Sequence, residues 1–176
     1  QKPWDKTVEE LNMYRKIYRE MNAGAEPPKP LMVTFIACHE DESTAGEMHV
    51  NYTRGYSRSA LNHYEFHNEG LADIKGYEYY GGLSKNINKH GIDNFVNFLA
   101  DLQVWGTPDQ VHDRLMEYQQ KIDCAGFIGV FSYGGMPHDM ARQNMQLFAE
   151  KVLPRLKAVD VKEEVGGGTP LNIAAE

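Results

Sequence analysis

Hydrophobic and polar positions alternate along this chain in long blocks. The first block predicts a helix: Leu11, Tyr14, Tyr18 and Met21 recur at helical spacing. Thr7 stands as a candidate N-cap, with Glu10 three residues on to complete a capping box. Gly24 and the prolines Pro27, Pro28 and Pro30 then end the helix and stiffen the connection. Residues 31–38, Leu-Met-Val-Thr-Phe-Ile-Ala-Cys, form a nearly continuous apolar run of the kind that suits a strand buried on both faces. Asp41 is positioned to cap a following helix with Met48, Tyr52, Tyr56, Ala60 and His63 on one face, reaching about Phe66.

The stretch 67–101 breaks this regularity. It holds Gly70, Gly76, Gly81, Gly82 and Gly91 and reads as a long connection with short helical turns near 83–87 and 94–99. Regular blocks resume with a short strand at 102–106. Thr107-Pro108-Asp109-Gln110 opens the next helix, with Thr at the N-cap, Pro at the first helical position and Gln at the third. Val111, Leu115, Tyr118 and Ile122 give that helix its buried face. A third strand is expected at 126–132. The closing helix begins near His138, with Ala141, Met145, Phe148, Val152 and Leu156 at helical spacing and a break or kink at Pro154. Residues 162–176, glycine-rich and small, read as a disordered tail following a domain of residues 1–161.

Alternating helices and buried strands imply parallel βα units. Three strands alone leave exposed edges, so the expected fold class is α/β, the C-terminal part of a (β/α)8 TIM barrel comprising about three units. The three strands are expected to lie side by side in chain order with helices on one side. A first residue of Gln rather than Met fits a piece of a longer polypeptide.

Composition narrows the function. With 41% hydrophobic and 24% charged residues the chain is an ordinary globular protein. A net charge of −7 argues against nucleic acid as a partner. The chain has no apolar run long enough for a membrane span and opens on polar residues, so a cytoplasmic location is expected. Cys38 and Cys124 lie far apart without a CxxC pair and are expected to be reduced thiols.

Several motifs carry a family resemblance. Gln103-Val104-Trp105-Gly106-Thr107-Pro108-Asp109-Gln110-Val111 resembles the strand-to-helix segment before the last unit of luciferase-like flavin-dependent monooxygenases. Phe131-Ser132-Tyr133-Gly134-Gly135-Met136-Pro137 resembles the end of their last strand. Met145-Gln146-Leu147-Phe148-Ala149-Glu150-Lys151-Val152-Leu153-Pro154 is similar to their C-terminal helix. Tyr64-Glu65-Phe66 and Lys75-Gly76-Tyr77-Glu78-Tyr79-Tyr80 resemble one bacterial branch. The resemblance spans residues 5 to 158. It implies an oxidoreductase that uses reduced FMN, supplied by a flavin reductase, and dioxygen to oxidise a small organic substrate. Some members use the deazaflavin F420 instead. It also implies a homodimer or hetero-oligomer at full length. Much of the flavin contact in the family comes from earlier strands, so this chain alone is expected to be inactive. A non-catalytic flavin-binding or assembly module is the alternative.

The chemistry-bearing residues fall into groups. Tyr56, Ser59 and His63 share a helical spacing and either line a pocket or serve ordinary amphipathic packing. Trp105 and Ser132, with Cys38, His39 and Tyr133, stand at strand ends, where barrel enzymes place their sites. Lys75, Tyr77, Tyr79, Tyr80, Lys85 and Lys89 correspond by order to the family's mobile lid; a packed surface loop is the alternative. No metal is expected: Glu65 stands two residues after His63, not immediately after it as the helical zinc motif requires, and no third ligand is evident.

Overall fold

The computed structural model describes residues 3–159. The apolar run forms β1 (Leu31–Cys38), with β2 (Val104–Gly106) and β3 (Gly126–Val130) beside it, all parallel. The order across the sheet is β2-β1-β3 rather than the expected β1-β2-β3. β3 pairs with the first part of β1, from Leu31 opposite Gly126 to Phe35 opposite Val130. β2 pairs with its last part, Ile36 to Cys38. The length of the strands accounts for the correction. A three-residue β2 in the middle would leave most of its longer neighbours unpaired, whereas the eight-residue β1 satisfies both.

Two side chains extend these ladders where backbone runs out. The Asn144 amide donates to the Ile36 carbonyl at 2.7 Å and accepts from the Cys38 N–H at 2.8 Å, beyond the end of β3. On the other edge, Gln103 Oε1 accepts from the Phe35 N–H at 3.0 Å, just before β2 begins.

Helices cover both sides of the sheet, not one. Met32, Ile36 and Cys38 face α1 (Trp4–Met21) and α6 (Pro108–Ile122), and Val111, Leu115, Tyr118 and Ile122 complete that core as their spacing predicts. On the opposite face Ala37 and Phe35 meet Met48, Tyr52, Tyr133 and Met136. The Thr107 capping box forms as expected, with reciprocal bonds to Gln110. Thr7, by contrast, lies inside α1; the helix starts three residues before its expected cap, at Trp4 behind Pro3.

The helix after β1 departs from simple periodicity. Asp41 caps α2 (Glu42–Met48) through the Thr44 N–H. A π-helical turn at His49–Thr53 follows, and then α3 (Arg54–His63). This wider turn shifts the buried stripe to Ala45, Met48, His49, Thr53, Ser57 and Leu61, one residue away from the expected Tyr52, Tyr56 and Ala60. The supposed irregular stretch is also mostly helical: α4 (Glu78–His90) and α5 (Ile92–Asp101) occupy it. Gly81 permits close packing rather than marking a loop: a Cβ there would sit 2.4 Å from the Ala72 methyl. At the C-terminus, α7 (His138–Leu147) passes through a π-helical turn at Phe148–Val152 into α8 (Leu153–Lys157), and Pro154 falls where α8 begins, not in the middle of a helix. The tail 162–176 lies outside the described residues.

Candidate functional site

β1, α3, α4 and α5 enclose a cleft of about 400 Å³. Its floor is Val33 and Phe35, which point from the half-covered face of β1. Tyr56, Ser57, Ala60 and Tyr64 come from α3 and its C-terminal turn, Tyr79, Tyr80 and Leu83 from α4, Phe95 and Leu99 from α5. Phe66 and Gln103 close the ends. The ring centroids of Phe35 and Tyr56 lie 4.4 Å apart. Tyr64, Phe66 and Tyr80 form a stacked series, with Phe66 and Tyr80 only 2° from parallel at 5.5 Å. None of the lining residues is charged. Gln103 is held by β1 and by the Leu99 carbonyl, so its amide serves structure. Ser57 is buried, and its hydroxyl donates to the Thr53 carbonyl at 2.9 Å.

The sequence-derived candidates distribute unevenly around this cleft. Tyr56, Tyr79 and Tyr80 line it. Ser59 and His63 are exposed on α3 and do not line it; the side of α3 turned to the cleft carries Tyr56, Ser57 and Ala60 instead. Lys75, Tyr77, Lys85 and Lys89 are exposed and off the lining. The strand-end residues do not converge either. Ser132 is exposed on the turn after β3. Trp105 borders a separate polar hollow with Glu42, Asp113, Arg114 and Glu117. Tyr133 is buried; its hydroxyl oxygen accepts from Thr53 at 3.3 Å, and burial pushes its pKa up to about 12. Burial likewise pushes the unbridged Cys38 thiol up to about 12, far from a reactive thiolate.

His49 went unnoticed in the sequence. It is buried in the π-helical turn and stacks on Trp105, centroids 5.1 Å apart. Its Nε2 stands 3.5 Å from the Asp101 carboxylate, too long for a good hydrogen bond, and Nδ1 has no partner in the described residues. Burial pulls its pKa below the ordinary histidine value, while Asp101 opposes that shift. Phe35, Phe66 and Phe95 were also unmarked as cleft residues. The density of rings between 64 and 80 was the available signal.

A flavin mononucleotide fits this cleft only in part. Ring faces suit a flat heterocycle, but a phosphate would meet no cation anywhere on the lining. The described residues of the cleft therefore do not hold a whole FMN.

Among the described residues no helix is long and apolar enough to cross a membrane. The family model for luciferase-like monooxygenases matches residues 1–123. No curated protein matches the chain. Among solved structures, the fold is similar to the crystal structure of the monooxygenase RslO1 from Streptomyces bottropensis, with a TM-score of 0.54 at 17% identity. That likeness covers 88% of this chain and 39% of the other, so the chain spans about two fifths of its structural neighbour. The parallel sheet is consistent with part of a luciferase-like barrel, and the match over more than half its length shows that this chain belongs to the luciferase-like monooxygenase family.

Proposed function

We propose that the chain is part of a flavin-dependent monooxygenase in which reduced FMN, delivered by a flavin reductase, and dioxygen oxidise a small organic substrate. Family membership supports an oxidoreductase of monooxygenase type. The single observation that carries the finer reading is the uncharged, ring-lined cleft against β1, which gives an organic molecule a water-poor berth. In this reading the chain supplies the substrate wall, and residues outside it supply the phosphate contacts that the cleft lacks.

Segment 75–91 acts as the cover. Tyr79 and Tyr80 reach the cleft from α4, and Gly76 and Gly91, both at φ +92°, bracket that helix with backbone that side chains rarely adopt. Movement about these two ends would open or close the tyrosine wall as a unit.

The test is turnover with a flavin reductase, NADH, FMN and oxygen. This chain alone should convert reducing equivalents to hydrogen peroxide without oxygenated product. Joined to the strands that complete the barrel, it should yield product. Oxygenation by the isolated chain would overturn its proposed incompleteness; failure of the completed barrel to bind reduced FMN would overturn the flavin reading.

A further inference from the structure

From the make-up of the cleft we infer its ligand class: a neutral, planar aromatic molecule bearing a hydroxyl group. The inference rests on the proposal that this cleft is the substrate site. Seven rings line it: Phe35, Tyr56, Tyr64, Phe66, Tyr79, Tyr80 and Phe95. Flat ring faces and edges reward another flat ring through stacked and edge-on contacts that a flexible alkyl chain does not make. The near-parallel Phe66 and Tyr80 set a common plane direction for such stacking. The volume of about 400 Å³ lies toward the small end of ligand pockets, enough for a compact polycyclic ligand.

Charge decides against the competitors. With no cation on the lining, a sulfonate or carboxylate entering the cleft would lose hydration with only neutral hydroxyl donors to offset the loss. An ammonium would find no carboxylate. Beside the tyrosine hydroxyls, Ser57 adds a directional feature whose proton is already placed. Its proton is committed to the Thr53 carbonyl, so its oxygen is left as an acceptor at the cleft wall. A ligand hydroxyl can donate to it, which selects a phenol over the bare hydrocarbon.

The experiment is a fluorescence titration of the full chain with β-naphthol, without flavin, in competition with naphthalene, naphthalenesulfonate and decanal. β-Naphthol should bind, and naphthalenesulfonate and decanal should each compete about tenfold more weakly or worse. Tyr80→Leu should weaken β-naphthol by about tenfold, and Ser57→Ala should weaken β-naphthol but leave naphthalene unchanged. Unaltered thermal midpoints establish that both variants fold; if Ser57→Ala lowers the midpoint, Ser57→Cys at the same position takes its place. Equal competition by decanal or the sulfonate, no binding of β-naphthol, or indifference to Tyr80→Leu would overturn the inference. Because no flavin is present, these outcomes stand apart from the turnover test: a cleft that binds β-naphthol in a barrel that never oxygenates would sink the enzyme reading alone.

Discussion

The two faces of β1 differ in what covers them. Met32, Thr34, Ile36 and Cys38 point into a closed core against α1 and α6. On the other face only the C-terminal half is sealed: Ala37 is buried and Phe35 partly so, while Leu31 is 62% and Val33 53% exposed. Ile128, paired with Val33 on β3, is 49% exposed on the same open ground. Parallel sheets are ordinarily covered on both faces, so such uncovered aliphatics mark a surface made for something else to lie against it. On the proposed function, the difference separates stability from recognition within a single strand. The closed face holds the chain together, and the half-open face forms the floor of the aromatic cleft.

The largest expected effect tests that separation directly. Ile36→Ala should lower unfolding free energy by about 2–5 kcal/mol, because a cavity opens in the closed core. Val33→Ala, one face over, should change it by no more than about 0.5 kcal/mol. Urea denaturation of both variants measures the contrast, and similar losses would erase it.

Next in size is Asn144→Leu. It strips the partners from the Ile36 carbonyl and the Cys38 N–H at a buried strand end, and should cost about 2–3 kcal/mol in the same assay. A neutral result would mean that the ladder extension contributes nothing to the closed region. Thr107→Ala removes one half of the capping box on the helix that seals this face, and about 1 kcal/mol of stability should go with it.

The smallest effect is the response to pH on the side where α2 and α3 lie. Native His49 resists protonation because it is buried, whereas the unfolded chain takes up the proton near its ordinary value of about 6.5. Its stabilising contribution is therefore complete above about pH 6.5 and declines as pH falls below that toward the lower native value. Between about pH 7.5 and about pH 5.5 the wild-type urea midpoint should drop more than that of His49→Gln. Parallel curves for the two proteins would show that His49 does not drive the change.

The parts legible in the sequence were those written in local side-chain chemistry. Asp41, Thr107, Pro108 and Gln110 mark their helix starts through bonds within one turn. The apolar run 31–38 and the stripe Val111, Leu115, Tyr118 and Ile122 announce burial by spacing alone. The π-helical turns leave no such mark, since the extra residue changes the backbone path without requiring a particular side chain. Ser59 and His63 share the helical spacing of Tyr56, and only tertiary packing shows that the cleft takes the side of α3 bearing Tyr56, Ser57 and Ala60. Gly81, Gly82 and Gly91 concealed two helices, because close packing against Ala72 and a turn at Gly91 call for the same residue that loops favour. Strand order depends on distant pairing, and the structural roles of Gln103 and Asn144 depend on strand ends that no local window contains. At the candidate site, Tyr56, Tyr79 and Tyr80 were marked from helical spacing and the resemblance, but Phe35 and Phe95 join them only through the fold.

On the proposed function, one face of β1 serves stability and the other serves binding beneath a movable helix. Amide hydrogen exchange on the full chain, with and without β-naphthol, tests it most directly. Residues 32–38 and 111–122 should be strongly protected in both states, and 78–90 weakly protected until the ligand is present, when their protection should rise sharply. Strong and equal protection of 78–90 with and without ligand would overturn this reading, showing a fixed wall in place of a cover.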